Sequence, residues 1–456
     1  MCDKKITAFE QQYLTRRHAL IKSILGVGSV QLRSLITGVP AALLLGNSHR
    51  ALADEGDFKY TIFSHLSDGD PLNANAPGTY AENNADPRNY VQHRSDGGGV
   101  TGYENGVDFN LGAARVKAAE PWSTLPEDLR SRLGFWHHGT YTNAHSDHRH
   151  VIRFHGAIKD QNGAGSAQLA EAMADETYQG LNTILKEPLS VGGSSITYRG
   201  RAIPVLRPSA IKELFASSAA NLDEMVALRD HFIDSTYKKM KREGTPAQLK
   251  FLDRYALSRV DAQEIATNLG SLITDIEEDN PSDQVKMAVA LLQLGIAPTV
   301  TLGIRFGGDN HGSIDNEVEQ TGYAMKDLTI MWDKLKAANL QDKVVFASLN
   351  VFGRTLRYNT NGGRNHNGMH HTMLVAGSSI KPGVVGGIEP TKPTGTPVEF
   401  KATGINSNNR TSNNPDIAYR DTLVSAGKTL AKAAGLSNER INIRFNGGKI
   451  ITGALS

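Results

Sequence analysis

Four groups of polar side chains in this chain have the types and spacing to do chemistry. Asp68 and Asp70 flank Gly69 directly after an apolar run. Asp309-Asn310-His311 follows Arg305-Phe306-Gly307-Gly308. A third group runs from Asn350-Val351-Phe352-Gly353-Arg354 through Asn361-Gly362-Gly363-Arg364-Asn365-His366-Asn367-Gly368-Met369-His370-His371. Carboxylates and imidazoles on glycine-rich loops are the donors a hard-to-borderline divalent cation takes, and glycine lets the backbone approach closely. The fourth group is the densest: His137, His138, His145, His148, His150 and His155, interleaved with Thr140, Thr142, Asn143, Ser146 and Asp147. Imidazoles beside hydroxyls and a carboxylate suit an activated nucleophile, with Thr142 and Ser146 the candidates, or a metal site, with His145 and His148 the candidates. The competing reading is a polar loop whose histidines bond to their neighbours. His93, His155 and His231 read as structural.

The elements that must position these groups follow from patterning. Tyr60 to Leu66 is a β-branched and aromatic strand that ends in the turn Ser67-Asp68-Gly69-Asp70-Pro71. Residues 73–110, rich in Asn, Gly, Asp and Pro, read as a long inserted loop. Ser166 to Tyr178 is a helix, and short β segments lie between Pro188 and Pro208. Residues 209–296 read as a helical insertion, within which Asn280 caps a helix that Pro281 opens. Residues 297–304 and 344–349 are buried strands on either side of an amphipathic helix from Val318 to Leu335, a succession that implies a parallel pair with a crossover helix. A strand at 372–376 and a closing helix at 417–434 complete an α/β domain over residues 54–456. Three of the four polar groups then fall at or just beyond strand ends, where open α/β sheets carry their sites.

The N-terminal segment reads as an address. Thr15-Arg16-Arg17 precedes an apolar stretch from Ile24 to Leu45 that is diluted by Arg33 and Pro40, and Ala51-Leu52-Ala53 closes it. This order matches a twin-arginine signal peptide over residues 1–53, cleaved after Ala53. The competing readings are an uncleaved anchor and a general secretory signal. A mid-membrane arginine makes the stretch a poor permanent span. The expected partner during export is the twin-arginine translocase, with no stable membrane span after cleavage and a periplasmic or secreted location. Removal of 1–53 would leave 42 basic and 45 acidic residues, without the footprint of a nucleic-acid binder. Cys2, the one cysteine, would leave with the leader, which excludes a disulfide framework and thiolate chemistry.

Taken with the leader and the Asp-Gly turn after the first strand, Gly307-Gly308-Asp309-Asn310-His311, Phe352-Gly353-Arg354-Thr355 and Gly362-Gly363-Arg364-Asn365-His366-Asn367-Gly368 resemble the domain of unknown function 1501 family, which is grouped with the alkaline phosphatase and sulfatase superfamily. The resemblance runs from Phe58 to the C-terminus, is clearest over 297–387 and is faint between 160 and 290. It implies a three-layer α/β/α fold with a mostly parallel central sheet, alkaline-phosphatase-like, and a metal-dependent site at the strand C-termini. Carried over by position, Asp68 or Asp70 would be an early metal ligand, Asp309 and His311 a ligand pair, and His366 the late histidine. The nucleophile would come from 140–148, as Ser146 or Thr142, and Arg354 or Arg364 would neutralise anionic charge. The cation would be zinc, manganese or calcium. The family's acidic residues before Phe-Gly-Arg and before the late His are Val351 and Asn365 here, which weakens or removes one metal position.

Two functions follow. One is an exported metal-dependent hydrolase of phosphate or sulfate esters, acting on a small-molecule or polymer ester. The alternative is a non-catalytic binding or assembly protein on the same fold. The expected export route alone would suggest a redox protein, and no cysteine pair or dinucleotide loop supports that.

Overall fold

A computed structural model describes residues 57–80, 106–218 and 268–456, apart from 113, 315–316, 358 and 393–398, together with residue 91 and isolated positions between 235 and 249. The leader at 1–53, most of the loop expected at 73–110, His93, His231 and most of the expected helical insertion lie outside the described residues.

Seven strands form the central sheet: β1 (Tyr60–Ser64), β2 (Leu133–His138), β3 (Leu189–Ser190), β4 (Thr299–Leu302), β5 (Val344–Ser348), β6 (His371–Ala376) and β7 (Gly383–Val385). Their spatial order is β7-β2-β6-β5-β1-β4-β3. β1 is parallel to both β4 and β5, β3 is parallel to β4 and β7 to β2, and β6 alone runs antiparallel, to β2 and β5. The sheet is therefore mostly parallel, in an α/β fold.

The strand alternation fills two separate cores. Ile62, Phe135, Phe346 and Leu374 enter one, with Val285, Met287 and Leu291 of α2 (Pro281–Gln293) and Met325, Leu328, Trp332 and Leu335 of α3 (Glu317–Ala337). Phe63, Trp136, Val345, Ala347 and Met373 enter the other, with Leu169, Ala172 and Met173 of α1 (Leu169–Leu181) and Leu423, Ala426 and Leu430 of α4 (Thr422–Ala433). Helices thus cover both faces, which is why the inner strands read as continuous apolar runs. Asn280 caps α2 by accepting from the Asp283 N–H, with Pro281 at the first helical position. Among the described residues no helix is long and apolar enough to cross a membrane.

Two expectations are corrected. β4 and β5, joined through α3, are parallel but not side by side, because β1 lies between them. Ile62 and Phe63 of β1 enter opposite cores, so this strand is buried on both faces and takes the centre. The histidine-rich segment also opens with a buried strand, β2, rather than a polar loop. Its terminal imidazoles pair with those that open β6. Pro77 O accepts from His137 Nε2 at 3.1 Å, so His137 Nδ1 accepts from His370 Nε2 at 2.8 Å, and His370 Nδ1 accepts from the Asn73 amide at 3.1 Å. On the opposite face His138 gives its Nδ1 proton to Gly139 O, and His371 reaches His138 Nε2 at 3.4 Å.

These imidazoles make the fold acid-sensitive. Burial, with a second push from His148, lowers His65 to about 3, and burial lowers His137, His138 and His148 to about 4. His370 and His371 fall well below the usual value for the same reason, reinforced by neighbouring histidines. Above the unfolded value of about 6.5 both states are neutral; below it the unfolded chain takes up protons the folded chain refuses, so stability falls with pH. Each such group costs about 1.4 kcal/mol per pH unit in that window. Asp70 and Asp327, raised by burial to about 6, oppose this and are outnumbered. The urea midpoint should fall steeply between pH 7 and pH 5; a midpoint constant over that range would contradict this account.

Candidate metal centre

The carboxyl edge of the sheet gathers four loops. His145 begins a one-turn 3-10 helix (His145–Asp147) after β2. Asp309 and His311 lie beyond β4, where Gly308 holds a φ of +67° that favours glycine. Arg354 and His366 face each other in a two-residue antiparallel ladder, Gly353–Arg354 with His366–Asn367, between β5 and β6. Ser67 and Gly69 come from the turn after β1. Gly363 is needed for close approach, because a Cβ there would meet the carbonyl oxygens of Asn310 and His311 at 2.2 Å.

His145, Asp309, His311 and His366 each present one ligand atom, and these four atoms lie within 4.8 Å of one another. His311 Nε2 is 2.6 Å from His366 Nε2 and 3.1 Å from Asp309 Oδ1, and His145 Nε2 is 3.6 Å from Asp309 Oδ2. A tetrahedral centre with bonds of about 2.1 Å spaces its donors about 3.4 Å apart, so these separations bracket what one ion requires. The protonation pattern also fits. His145 Nδ1 lies 2.7 Å from Ser67 O and His366 Nδ1 lies 2.5 Å from Asn143 O. A carbonyl only accepts, so both Nδ1 atoms carry the proton and both Nε2 lone pairs point into the group. The group can hold a metal ion.

Electrostatics keep Asp309, His311 and His366 in their binding forms. Burial raises Asp309, but the charge of Arg354 and its hydrogen bond outweigh that and leave the carboxyl below the usual carboxylate range. Burial and then the Arg354 charge lower His311, and burial lowers His366. Neutral imidazoles and an ionised carboxylate are what a cation requires at neutral pH. Phe352 stacks on the His366 ring at 4.1 Å and fixes its plane.

The other candidate residues are placed elsewhere. Asp68 pairs with Arg305 at 3.0 Å. Asp70 is buried and accepts from the Leu72 and Phe306 N–H groups at 3.2 and 3.1 Å, tying the turn after β1 to the loop after β4. His148 is buried beside His65, ring centroids 5.2 Å apart. Thr142 donates to Asp147 Oδ2 at 2.7 Å and accepts from the Ala144 N–H, while Ser146 is exposed beside His145. Arg354 donates to Asp309 Oδ1 and lies against His311. Arg364 is buried, donating to Glu317 and to the carbonyls of Thr355 and Leu356. Val351 is buried in an apolar core, and Asn365 accepts from the Asn359 amide; neither belongs to the ligand group. The carbonyls of Ser67, Gly69 and Asn143, and the amide of Asn73 that pairs with both the N–H and the C=O of Arg354, have no side-chain signature that patterning could weigh as chemistry.

Residues 284–403 match the model of a family described as protein of unknown function (DUF1501). The match supports that family for this chain. The matching segment runs from within α2 through β7, and it contains Asp309, His311, Arg354 and His366; His145 lies before it. No curated protein matches the chain.

Glu317 anchors the loop that carries Asp309 and His311, since it accepts from Arg364 Nε at 2.8 Å and from the Asn310 amide at 2.7 Å. Glu317→Ala leaves a buried guanidinium without its counter-charge and should cost about 3–5 kcal/mol in urea unfolding. A loss under about 1 kcal/mol would mean that the pair does not anchor the loop.

Proposed function

We propose that this chain is an exported, metal-dependent hydrolase of phosphate or sulfate esters, on an alkaline-phosphatase-like three-layer fold. The observation that carries the reading is the convergence of His145, Asp309, His311 and His366, with two of the imidazoles pinned through Nδ1 so that their Nε2 lone pairs meet. Three imidazoles and one carboxylate suit zinc or manganese better than calcium, which takes oxygen donors. A cation held by these four residues would supply Lewis acidity toward an ester oxygen. Arg354, whose guanidinium touches both Asp309 and His311, would offset anionic charge beside it. Ser146, exposed next to His145, is the better placed hydroxyl, because the Thr142 hydroxyl is already committed to Asp147 and the Ala144 N–H. Arg364 serves the loop rather than the ester, its donors being taken by Glu317 and two carbonyls. The twin-arginine leader at 1–53 and a periplasmic or secreted location belong to the same proposal, with the translocase as the partner in export.

One observation favours the second reading, a non-catalytic binding or assembly protein. Four protein donors close a tetrahedral site, whereas a catalytic one usually keeps a position open. Val351 and Asn365 add no acidic ligand for a second ion, so the site proposed here takes one.

Protein purified from the export compartment should carry about one equivalent of zinc or manganese by elemental analysis, and should hydrolyse an aryl phosphate or aryl sulfate. His311→Ala should lower turnover by at least about a hundredfold together with loss of the metal. Metal without turnover on either ester would transfer the chain to the binding-protein reading. Absence of metal, with thermal stability unchanged by chelator, would remove both forms of the metal proposal.

A further inference from the structure

Five cationic side chains are buried among the described residues: Lys59, Arg354, Arg364, Lys428 and Arg444. A carboxylate neutralises four of them. Lys59 pairs with Asp57 at 3.0 Å, Arg354 with Asp309, Arg364 with Glu317 at 2.8 Å and Arg444 with Asp175 at 2.9 Å. Lys428 of α4 is as buried as Lys59, each being 7% exposed, and has no carboxylate partner among the described residues. Its Nζ donates to the Asn442 side-chain oxygen at 3.2 Å, which leaves two of its three N–H groups without a protein acceptor. Leu423, Ala426 and Leu430 of α4 face the core, and Lys428, about 200° around the helix from both Ala426 and Leu430, points away from the sheet. α4 runs from Thr422, which accepts from the Gly139 N–H after β2, to Ala434 O, which accepts from the Lys59 N–H before β1. Lys428 stands midway, away from the carboxyl edge.

The neighbouring charge has the same sign. After burial, the Lys159 ammonium is the second cause holding Lys428 below the usual lysine value. The Lys159 backbone is fixed beside α5 (Asn438–Arg444), the helix that carries Asn442: its N–H donates to Arg444 O at 2.8 Å, and its C=O accepts from Arg444 Nη1 at 3.3 Å. Its own ammonium makes no hydrogen bond or ion pair among the described residues. Just beyond α5, Gly447 and Gly448 hold φ of +70° and +63°, and their N–H groups meet no acceptor among the described residues. The N–H groups on either side do, Asn446 donating to Ala157 O at 2.9 Å and Lys449 to Ser425 Oγ at 3.0 Å. Ala157 is two residues from Lys159, and Ser425 is one turn of α4 before Lys428, so the glycine pair spans the two segments that carry the lysines. We propose that Lys159, Lys428 and the Gly447-Gly448 backbone form an anion site, separate from the four-residue metal group, that takes a tetrahedral oxyanion of the phosphate or sulfate type. The missing counter-charge carries the inference, because a buried cation without one is costly and the chain supplies one to the other four. An ammonium is a compact point charge, whereas the planar fork of arginine is what matches a flat carboxylate, so two lysines with backbone N–H groups suit a tetrahedral anion.

Purified protein treated with chelator, which empties the metal group, should bind inorganic phosphate in isothermal titration at constant ionic strength. Lys428→Met should weaken that binding at least about tenfold, Lys159→Met should weaken it as well, and His311→Ala should leave it unchanged. Methionine keeps the apolar stem and removes an uncompensated charge, so Lys428→Met should fold; phosphate should raise the urea midpoint of the wild type and not that of this variant. Glycerol phosphate in the same titration separates the two sources of the anion: tighter binding than the free ion assigns the site to a phosphate group on a larger molecule, and weaker binding to the ion itself, with the site upheld in both cases. No binding of phosphate or sulfate, or equal phosphate affinity in the wild type and Lys428→Met, would overturn the proposal. Binding lost in His311→Ala and kept in Lys428→Met would overturn it too, by moving the anion to the metal group.

Discussion

Two backbone carbonyls orient the donors of the candidate metal group. By accepting the Nδ1 protons of His145 and His366, Ser67 O and Asn143 O turn both Nε2 lone pairs toward Asp309 and His311. Neither carbonyl is free to move. Ser67 follows the central strand, and Asn143 lies in a segment whose Thr140 and Tyr141 N–H groups both donate to Gly368 O, while its own side chain accepts from the Gly368 N–H. The sheet supplies these fixed points. Loops that follow β1, β2, β4 and β5 leave one edge, and residues separated by more than two hundred positions in sequence meet there at hydrogen-bond distance.

Arg354 makes the same constraint electrostatic. A buried cation is tolerable only where carbonyls and carboxylates surround it, and here Gly69 O, Arg364 O and Asp309 do so. The residue also helps to keep Asp309 ionised and lowers the proton affinity of His311, so these two donors stand in their binding forms at neutral pH. The three buried imidazole pairs, His137 with His370, His138 with His371 and His65 with His148, extend this polar layer along the same edge. They are neutral by burial, and the stability of the fold is tied to pH through them.

Much of this was legible in the sequence. The β-branched runs at 60–66, 297–304 and 344–349 and the helical spacing from Val318 to Leu335 mark elements that the structure contains, with ends moved by at most two residues, and the Asn280-Pro281 start of α2 is in place. The strand order was not legible, because patterning reports which faces a strand buries and not which neighbour it chooses; β1 and β4 both read as apolar runs. β2 was hidden because His137 and His138 read as polar, although cross-strand partners satisfy them inside the sheet. At the site, side-chain type marked Asp309, His311, His366 and His145 as candidates, and equally marked Asp68, Asp70 and His148, which turn to an ion pair, two backbone amides and a buried ring. What separates the two sets is where the loops fold back, and glycines such as Gly363, with no room for a Cβ, encode that only through shape.

The central claim is that one divalent ion is held by three imidazoles and one carboxylate. X-ray absorption at the metal edge of zinc-loaded protein tests it most directly. The account predicts about three nitrogen donors and one oxygen donor near 2.0–2.1 Å, with the outer-shell scattering of imidazole rings. A shell of oxygen donors without that imidazole signature would contradict it.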